Sequence, residues 1–269
     1  MGSEEVNVWI ARPQEVSDAQ MQRLELTLDE SERERAEKFR FESDRRAYVV
    51  AHGVRRIALG DFLGADPVSL VIIKKSNGQP VLSWPPVREV YFSHAHTRDL
   101  IAFALTSASP IGIDVECSVQ SKPDLELLAP YVMLPEAGRR AEELGIDPAA
   151  QFFFYWTALE AFWKAAGKGL SPANPRICCT KNDAGTFDIT LEGDFEQCRR
   201  PPVASVSRIE APEGCVISLA QHYPQEFSYR ANHADAGSLL QNCKCRKKGD
   251  FSARTRRHWH HGFINIISV

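Results

Sequence analysis

The chain has 269 residues, enough for one large domain or two of about a hundred residues each, and either would bury a real core. Its 43% hydrophobic and 25% charged content is ordinary for globular proteins, and no uninterrupted apolar run is long enough to span a bilayer, which argues against a membrane enzyme. The net charge of −3 hides an asymmetry, because residues 226–269 carry eight Lys/Arg against three Asp/Glu, so an acidic body precedes a basic tail. The opening "MGSEEVNVWIARPQEV" has acids where a secretion signal needs bases and lacks its apolar stretch, which predicts a cytoplasmic location. The seven cysteines are odd in number and lack the dense spacing of a secreted disulfide framework, so reduced thiols are expected.

After the short apolar stretch "VNVWIA", the segments "LDESERERAEKFRF" and "SDRRAYVVAHGVRRIALGDFLG" read as helices, with Ser43 or Asp44 as the expected cap of the second. Val49, Val50, Val54, Ile57 and Ala58 form its apolar face. Strand candidates follow: "SLVIIKK", then a turn at "SNGQP", then "EVYFSH", "DLIAFALT" and "IGIDVE", an order that suggests a meander. Helical "LPEAGRRAEELG" and "AAQFFFYWTALEAFWKAAG" come next, and then strands at "RICCT", "FDITLEG", "ASVSRIE" and "CVISLAQHY". Helices then strands, twice, predict an α+β fold of two similar halves.

In "PIGIDVE" the strand period puts Ile111, Ile113 and Val115 on one face and Asp114 and Glu116 together on the other. A half-buried strand with a wet face is the plain explanation. Two adjacent carboxylates repel, however, and are best tolerated around a cation, for which hard oxygen ligands suit Mg2+. A third ligand is available in "FFFYWTALEAFWKAAGKGL", where Glu160 and Lys164 lie one helical turn apart. A surface ion pair would be the ordinary reading, but a helix so rich in Phe and Trp is expected to be buried, where charges need partners. Gly167 and Gly169 end this helix, with Lys168 between them as a possible phosphate contact. "FSHAH" sets Ser93 and His94 at a strand end, although a lone His is more often structural than functional.

The order "SH", "GIDVE" and "WTALEAFWKAAGKGL" resembles the 4'-phosphopantetheinyl transferase superfamily, in its larger, surfactin-synthetase-activator type, over roughly residues 5–223. Upstream, "KFRFESDRRAYVVAHGVRR" is similar to a helix of that family, and "NGQP" to its Asn/Tyr-Gly-Lys-Pro turn. The resemblance implies an intramolecular pseudo-dimer, monomeric in solution, with residues 1–112 and 113–225 as its halves and the active site in the cleft between them. It implies transfer of the 4'-phosphopantetheine arm of coenzyme A to a serine of an apo acyl or peptidyl carrier protein, releasing adenosine 3',5'-bisphosphate. Asp114, Glu116 and Glu160 match the Mg2+ ligands, Glu160 or Glu116 the general base, and Lys164 the residue that steadies the leaving bisphosphate. Ser93 and His94 match a pair facing the nucleotide phosphates, and Arg35, Arg45 and Arg46 are basic candidates for the same anions, as Lys168 is. Three positions depart from the family pattern: Gln79 and Leu159 stand where lysine is common, and Ala47 where a basic residue is frequent.

A catalytically silent coenzyme A or carrier-binding module is the alternative of another class, but it predicts a broken acid set, and all three acids are present. A Mg2+-dependent nucleotide phosphodiesterase would use the same acids without a carrier. Residues 226–269 read as a basic, disordered tail; Cys243, Cys245, His258, His260 and His261 do not have the spacing of a standard zinc finger. A charge run alone does not indicate nucleic-acid binding.

Overall fold

Alternation in "VNVWIA" puts every second side chain on one face, and that segment is strand β1 (Val6–Ala11), with Val6, Val8 and Ile10 buried. The structure is a computed structural model that describes residues 6–86, 89–117, 125–133, 147–168, 177–181, 187–191, 204–222 and 229–232. Helix α1 (Asp18–Glu25) follows, an element the sequence reading does not include; Ser17 and Gln20 form a reciprocal capping box at its start. Helix α2 (Glu30–Glu37) begins on a second box, Asp29 with Glu32. Helix α3 (Glu42–Leu63) starts earlier than expected: neither Ser43 nor Asp44 caps it, and Phe41 at the cap position makes no side-chain bond. The acids Glu42 and Asp44 in the first turn suit the positive end of the helix dipole instead.

The next segment pairs β2 (Val71–Lys74) with β3 (Pro80–Trp84) as a separate two-stranded ribbon. Strands β4 (Tyr91–His96) and β5 (Ile101–Thr106) are antiparallel neighbours, as a meander requires, but β6 (Ile111–Cys117) leaves them and opens a second sheet. Helices α4 (Leu125–Val132) and α5 (Pro148–Ala165) follow, then β7 (Ile177–Lys181), β8 (Phe187–Leu191), β9 (Ala204–Ile209), β10 (Cys215–His222) and β11 (Tyr229–Asn232). "LPEAGRRAEELG" lies outside the described residues.

The first sheet has the order β11-β1-β5-β4 and the second β6-β10-β9-β8-β7. Pleating divides each into two apolar faces. Val8, Ala102, Ala104, Ile113, Val115, Ile217 and Leu219 form one cluster in which the inner faces of the two sheets meet. Phe92, Phe103 and Leu105 face outward onto α1 and α3, and Val206, Val216 and Ala220 face outward onto α5. Each sheet is thus backed by helices on its outer side, a mixed α/β arrangement of four layers.

Two findings depart from the sequence reading at the C-terminal side. Strand β11 falls within residues 226–269 and pairs parallel with β1, Val6 opposite Tyr229; the rest of that segment, with its Cys and His residues, lies outside the described residues. Cys117 and Cys215, expected as thiols, are joined in a disulfide. They are directly opposed across β6 and β10, 98 residues apart in sequence, so only the strand register brings them together. Among the described residues no helix is long and apolar enough to cross a membrane.

Candidate active site

Strand β6 behaves as its alternation predicts on one side only. Ile111, Ile113 and Val115 enter the core between the sheets, but the face carrying Gly112, Asp114 and Glu116 is not wet, because α5 lies across it. The approach is so close that a Cβ on Gly112 would stand 1.9 Å from the carbonyl oxygen of Ala161, so only glycine fits there. Helix α5 is capped by the Asp147 side chain at Ala150 N–H, 2.8 Å, and is apolar almost all round, as a helix buried on most sides must be. Its polar stripe at Trp156, Glu160 and Lys164, spaced four residues apart, meets the acids of β6.

There Lys164 Nζ donates to Asp114 Oδ1 at 2.6 Å and to the Ile113 carbonyl at 3.3 Å, with Glu160 Oε2 at 3.8 Å. Asp114 is 5% exposed, and its Oδ2 has no hydrogen-bond partner among the described residues. Burial, reinforced by the negative charges of Glu160 and Glu116 and opposed by Lys164, pushes its carboxyl up from 3.8 to about 7. Glu116 is also raised, first by burial and then by Glu160, although the Trp156 side chain donates a hydrogen bond that holds it down. Three carboxylates therefore face one ammonium, a local excess of negative charge inside the fold.

No group of three or more acidic, His or Cys side chains is drawn together as a closed metal site among the described residues. The donor set nevertheless suits a hard divalent cation: the oxygens are carboxylate, one is buried and unpartnered, and the acids raise one another's affinity for positive charge.

Beside these groups opens a cavity of about 300 Å3 whose wall includes Ser93, His94, Glu160, Lys164, Lys168 and the turn Asn77–Pro80. The structure thus brings five of the sequence-predicted residues onto one surface. Ser93 Oγ accepts the Ile113 N–H at 3.1 Å and ties β4 to the acid-bearing strand. His94 is half-buried, and burial together with the positive charge of Arg55 holds its imidazole well below the usual range; its Nδ1 is unpartnered among the described residues. Lys168 lies over the Trp163 ring at 5.8 Å.

Three predicted cations are placed elsewhere. Arg45 pairs with Glu25 at 2.6 Å and with Glu42, and Arg46 with the Pro13 carbonyl and Asp18; neither lines this cavity. Arg35 stands 5.8 Å over the ring of Tyr48, which borders a second cavity of about 730 Å3 together with His96 and Arg98. Of the positions that depart from the family pattern, Gln79 lines the first cavity, Ala47 the second, and Leu159 is buried in the apolar core around α5. The sequence reading missed Trp156 and Gly112 as site residues; the i, i+4, i+8 spacing of Trp156 with Glu160 and Lys164 was the available signal for the first.

Residues 110–207, from the start of β6 to β9, match the 4'-phosphopantetheinyl transferase superfamily. The chain is 33% identical over 171 residues to the 4'-phosphopantetheinyl transferase HetI of Nostoc, which covers 63% of this chain and 71% of that protein. It is 26% identical over 192 residues to a 4'-phosphopantetheinyl transferase of Bacillus subtilis, covering 71% and 82% of the two chains. With a phosphopantetheinyl transferase of Thraustochytrium it shares 26% identity over 188 residues, 65% of either chain. Likeness over most of the HetI and Bacillus proteins, with the acid-bearing strand and its helix inside the matched span, shows that the chain is an enzyme of the 4'-phosphopantetheinyl transferase superfamily, in its larger, surfactin-synthetase-activator type.

Proposed function

We propose that the chain transfers the 4'-phosphopantetheine arm of coenzyme A to a serine of an apo acyl or peptidyl carrier protein, with Mg2+, and releases adenosine 3',5'-bisphosphate. The observation that carries this reading is the buried pairing of Lys164 with Asp114, with Glu160 beside it, at the wall of a cavity. The chemistry joins the carrier serine oxygen to the phosphorus that bears pantetheine and breaks that phosphorus's bond to the bridging oxygen of the pyrophosphate. The serine proton passes to Glu160, the acid of the set that lines the cavity, and Lys164 stabilises the charge that develops on the departing bisphosphate. Asp114, Glu116 and Glu160 would hold Mg2+, which when bound neutralises pyrophosphate oxygens. His94, held neutral, offers a hydrogen bond to a phosphate oxygen without competing for the serine proton, and Ser93 fixes the strand that presents it.

Two helix-backed sheets packed inner face to inner face support reading the fold as an intramolecular pseudo-dimer, with its cleft as the site. Incubation with coenzyme A, Mg2+ and an apo carrier protein is expected to add one phosphopantetheine mass to the carrier. Asp114→Ala and Glu160→Ala should each lower the rate by about a hundredfold to a thousandfold with an unchanged circular dichroism spectrum. Failure to modify any of several carrier types overturns the reading, and coenzyme A cleavage without a carrier would favour a phosphodiesterase.

A further inference from the structure

His94 lines the first cavity, yet its buried Nδ1 has no hydrogen-bond partner among the described residues. An imidazole without such a bond takes its orientation from the rings packed on it. Among the described residues two rings do so. His96 lies parallel to it on the same strand, with centroids 6.3 Å apart, but is exposed. His52, on α3, meets it edge to face, with centroids 6.1 Å apart and the planes at 72°. His52 is far better anchored, its side chain only 13% exposed. Its ring stacks on that of Tyr48 at 4.0 Å, and Tyr48 is itself buried and packed on Phe39. Its Nδ1 lies 2.9 Å from Glu32 Oε1 and 3.0 Å from Arg55 Nη2. In one tautomer Nδ1–H donates to Glu32 and in the other Nδ1 accepts from Arg55, so the ring is held either way.

We propose that His52 is a positioning residue for the transfer reaction, holding the ring of His94 in the orientation in which His94 meets a substrate phosphate. His52 lines neither of the two cavities, so it acts through His94 rather than on the substrate. Glu32 does not need it for charge balance, because Arg55 and Arg56 each bond that carboxylate at 2.5 Å. Burial lowers the His52 imidazole to about 4, so at neutral pH it brings no charge to the Glu32 cluster. What it brings is a fixed ring, and edge-to-face pairs at this separation are directional. The ion cluster under α3 is thereby joined to the cavity wall in one line: Glu32 fixes His52, and His52 fixes His94.

The inference rests on the coenzyme A reading, with His94 as a phosphate contact, and a double-substitution cycle on kcat/KM for coenzyme A in the full chain tests it separately. His94→Ala alone is expected to lower kcat/KM about tenfold. His52→Asn keeps a donor for Glu32 and removes the ring; it should lower kcat/KM about fivefold with the urea midpoint little changed. In the His94→Ala background the same substitution should change kcat/KM less than about twofold, because the group it acts through is gone. His52→Phe keeps the ring and loses the bond to Glu32, and should stay within about twofold of the parent in kcat/KM although its urea midpoint falls. A loss from His52→Asn that persists undiminished in the His94→Ala background overturns the inference alone, since His52 would then serve the fold at large. Parental kcat/KM in His52→Asn also overturns it, as does a loss in His52→Phe equal to that in His52→Asn, which would assign the effect to the Glu32 bond. A parent chain that transfers nothing from coenzyme A overturns the coenzyme A reading and this inference with it.

Discussion

Among the described residues the fold buries two clusters of carboxylates and cations, one between α2 and α3 and one between β6 and α5, and they are resolved in opposite ways. Under α3, Glu32 is gripped by Arg55 and Arg56 at 2.5 Å each and by His52 at 2.9 Å, and Arg56 also reaches Asp29 and two backbone carbonyls. Burial opposes the charge of Glu32, but its partners outweigh it and hold the carboxyl down at about 2. Between β6 and α5 the balance is reversed: three carboxylates share Lys164, one oxygen has no partner among the described residues, and Asp114 is held up at about 7. Both are buried ion pairs by residue type. The first is charge-complete and serves the fold, whereas the second leaves a deficit that a cationic ligand would fill, which is the signature of a site.

The largest expected effect breaks the complete cluster. Glu32→Ala leaves two buried guanidiniums without their shared carboxylate and should cost about 3–5 kcal/mol of unfolding free energy. Asp114→Asn, by contrast, removes an excess charge while keeping the side-chain shape, and should leave the urea midpoint equal or higher while transfer is lost. Equal destabilisation by the two substitutions would show that the clusters do not differ in kind.

The next effect is in the pH dependence, measured without divalent cations in EDTA. Glu32 is depressed from 4.5 to about 2, so its stabilisation is present above 4.5 and is lost as pH falls through 2. His52, lowered to about 4 chiefly by burial, acts on the same limb, with its contribution present above 6.5 and lost as pH falls through 4. Asp114 has the opposite sign: raised from 3.8 to about 7, it favours the folded state below 3.8, and that contribution is lost as pH rises through 7. Glu32→Gln should flatten the acid limb of a urea-midpoint profile, and Asp114→Asn the limb between pH 4 and 7. A profile in which both variants shift the same limb would contradict the assignment.

The legible parts of the molecule were those governed by local period and spacing. The alternation of β6 identified its inward Ile and Val and its paired acids, and the four-residue spacing on α5 placed Glu160 with Lys164. What covers the acids could not be read from β6, since a wet face and a helix-covered face have the same alternation; Gly112 was the local sign of close approach. Arg45 and Arg46 looked like free cations because the acids that neutralise them, Glu25 and Asp18, sit on α1. That helix buries only Met21 and Leu24, too faint an apolar stripe to see, although Ser17 and Gln20 had the spacing of a capping box. Strand β3 was hidden by its leading proline and partial exposure. The Cys117–Cys215 pairing follows from the β6–β10 register, which no local pattern encodes.

The smallest effect tests how the unbalanced cluster is held without charge. Ser218 lies directly across from Asp114 on β10, and its hydroxyl meets Thr157 Oγ at 2.8 Å, while Thr157 also donates to the Phe153 carbonyl at 2.8 Å. Both residues are fully buried, so this neutral bridge sets the distance from β10 to α5 beside the site acids. Thr157→Val keeps the volume but strands the Ser218 hydroxyl, and should cost about 1–3 kcal/mol. Ser218→Ala leaves Thr157 its backbone acceptor and should cost about 1 kcal/mol. The double variant removes the stranded hydroxyl as well, so its loss should be smaller than the sum of the two single losses by about 0.5–1 kcal/mol in urea denaturation. Strictly additive losses would mean that the two hydroxyls do not act as one contact, and that apolar packing of α5 on the sheet alone sets the spacing in which Asp114, Glu160 and Lys164 meet.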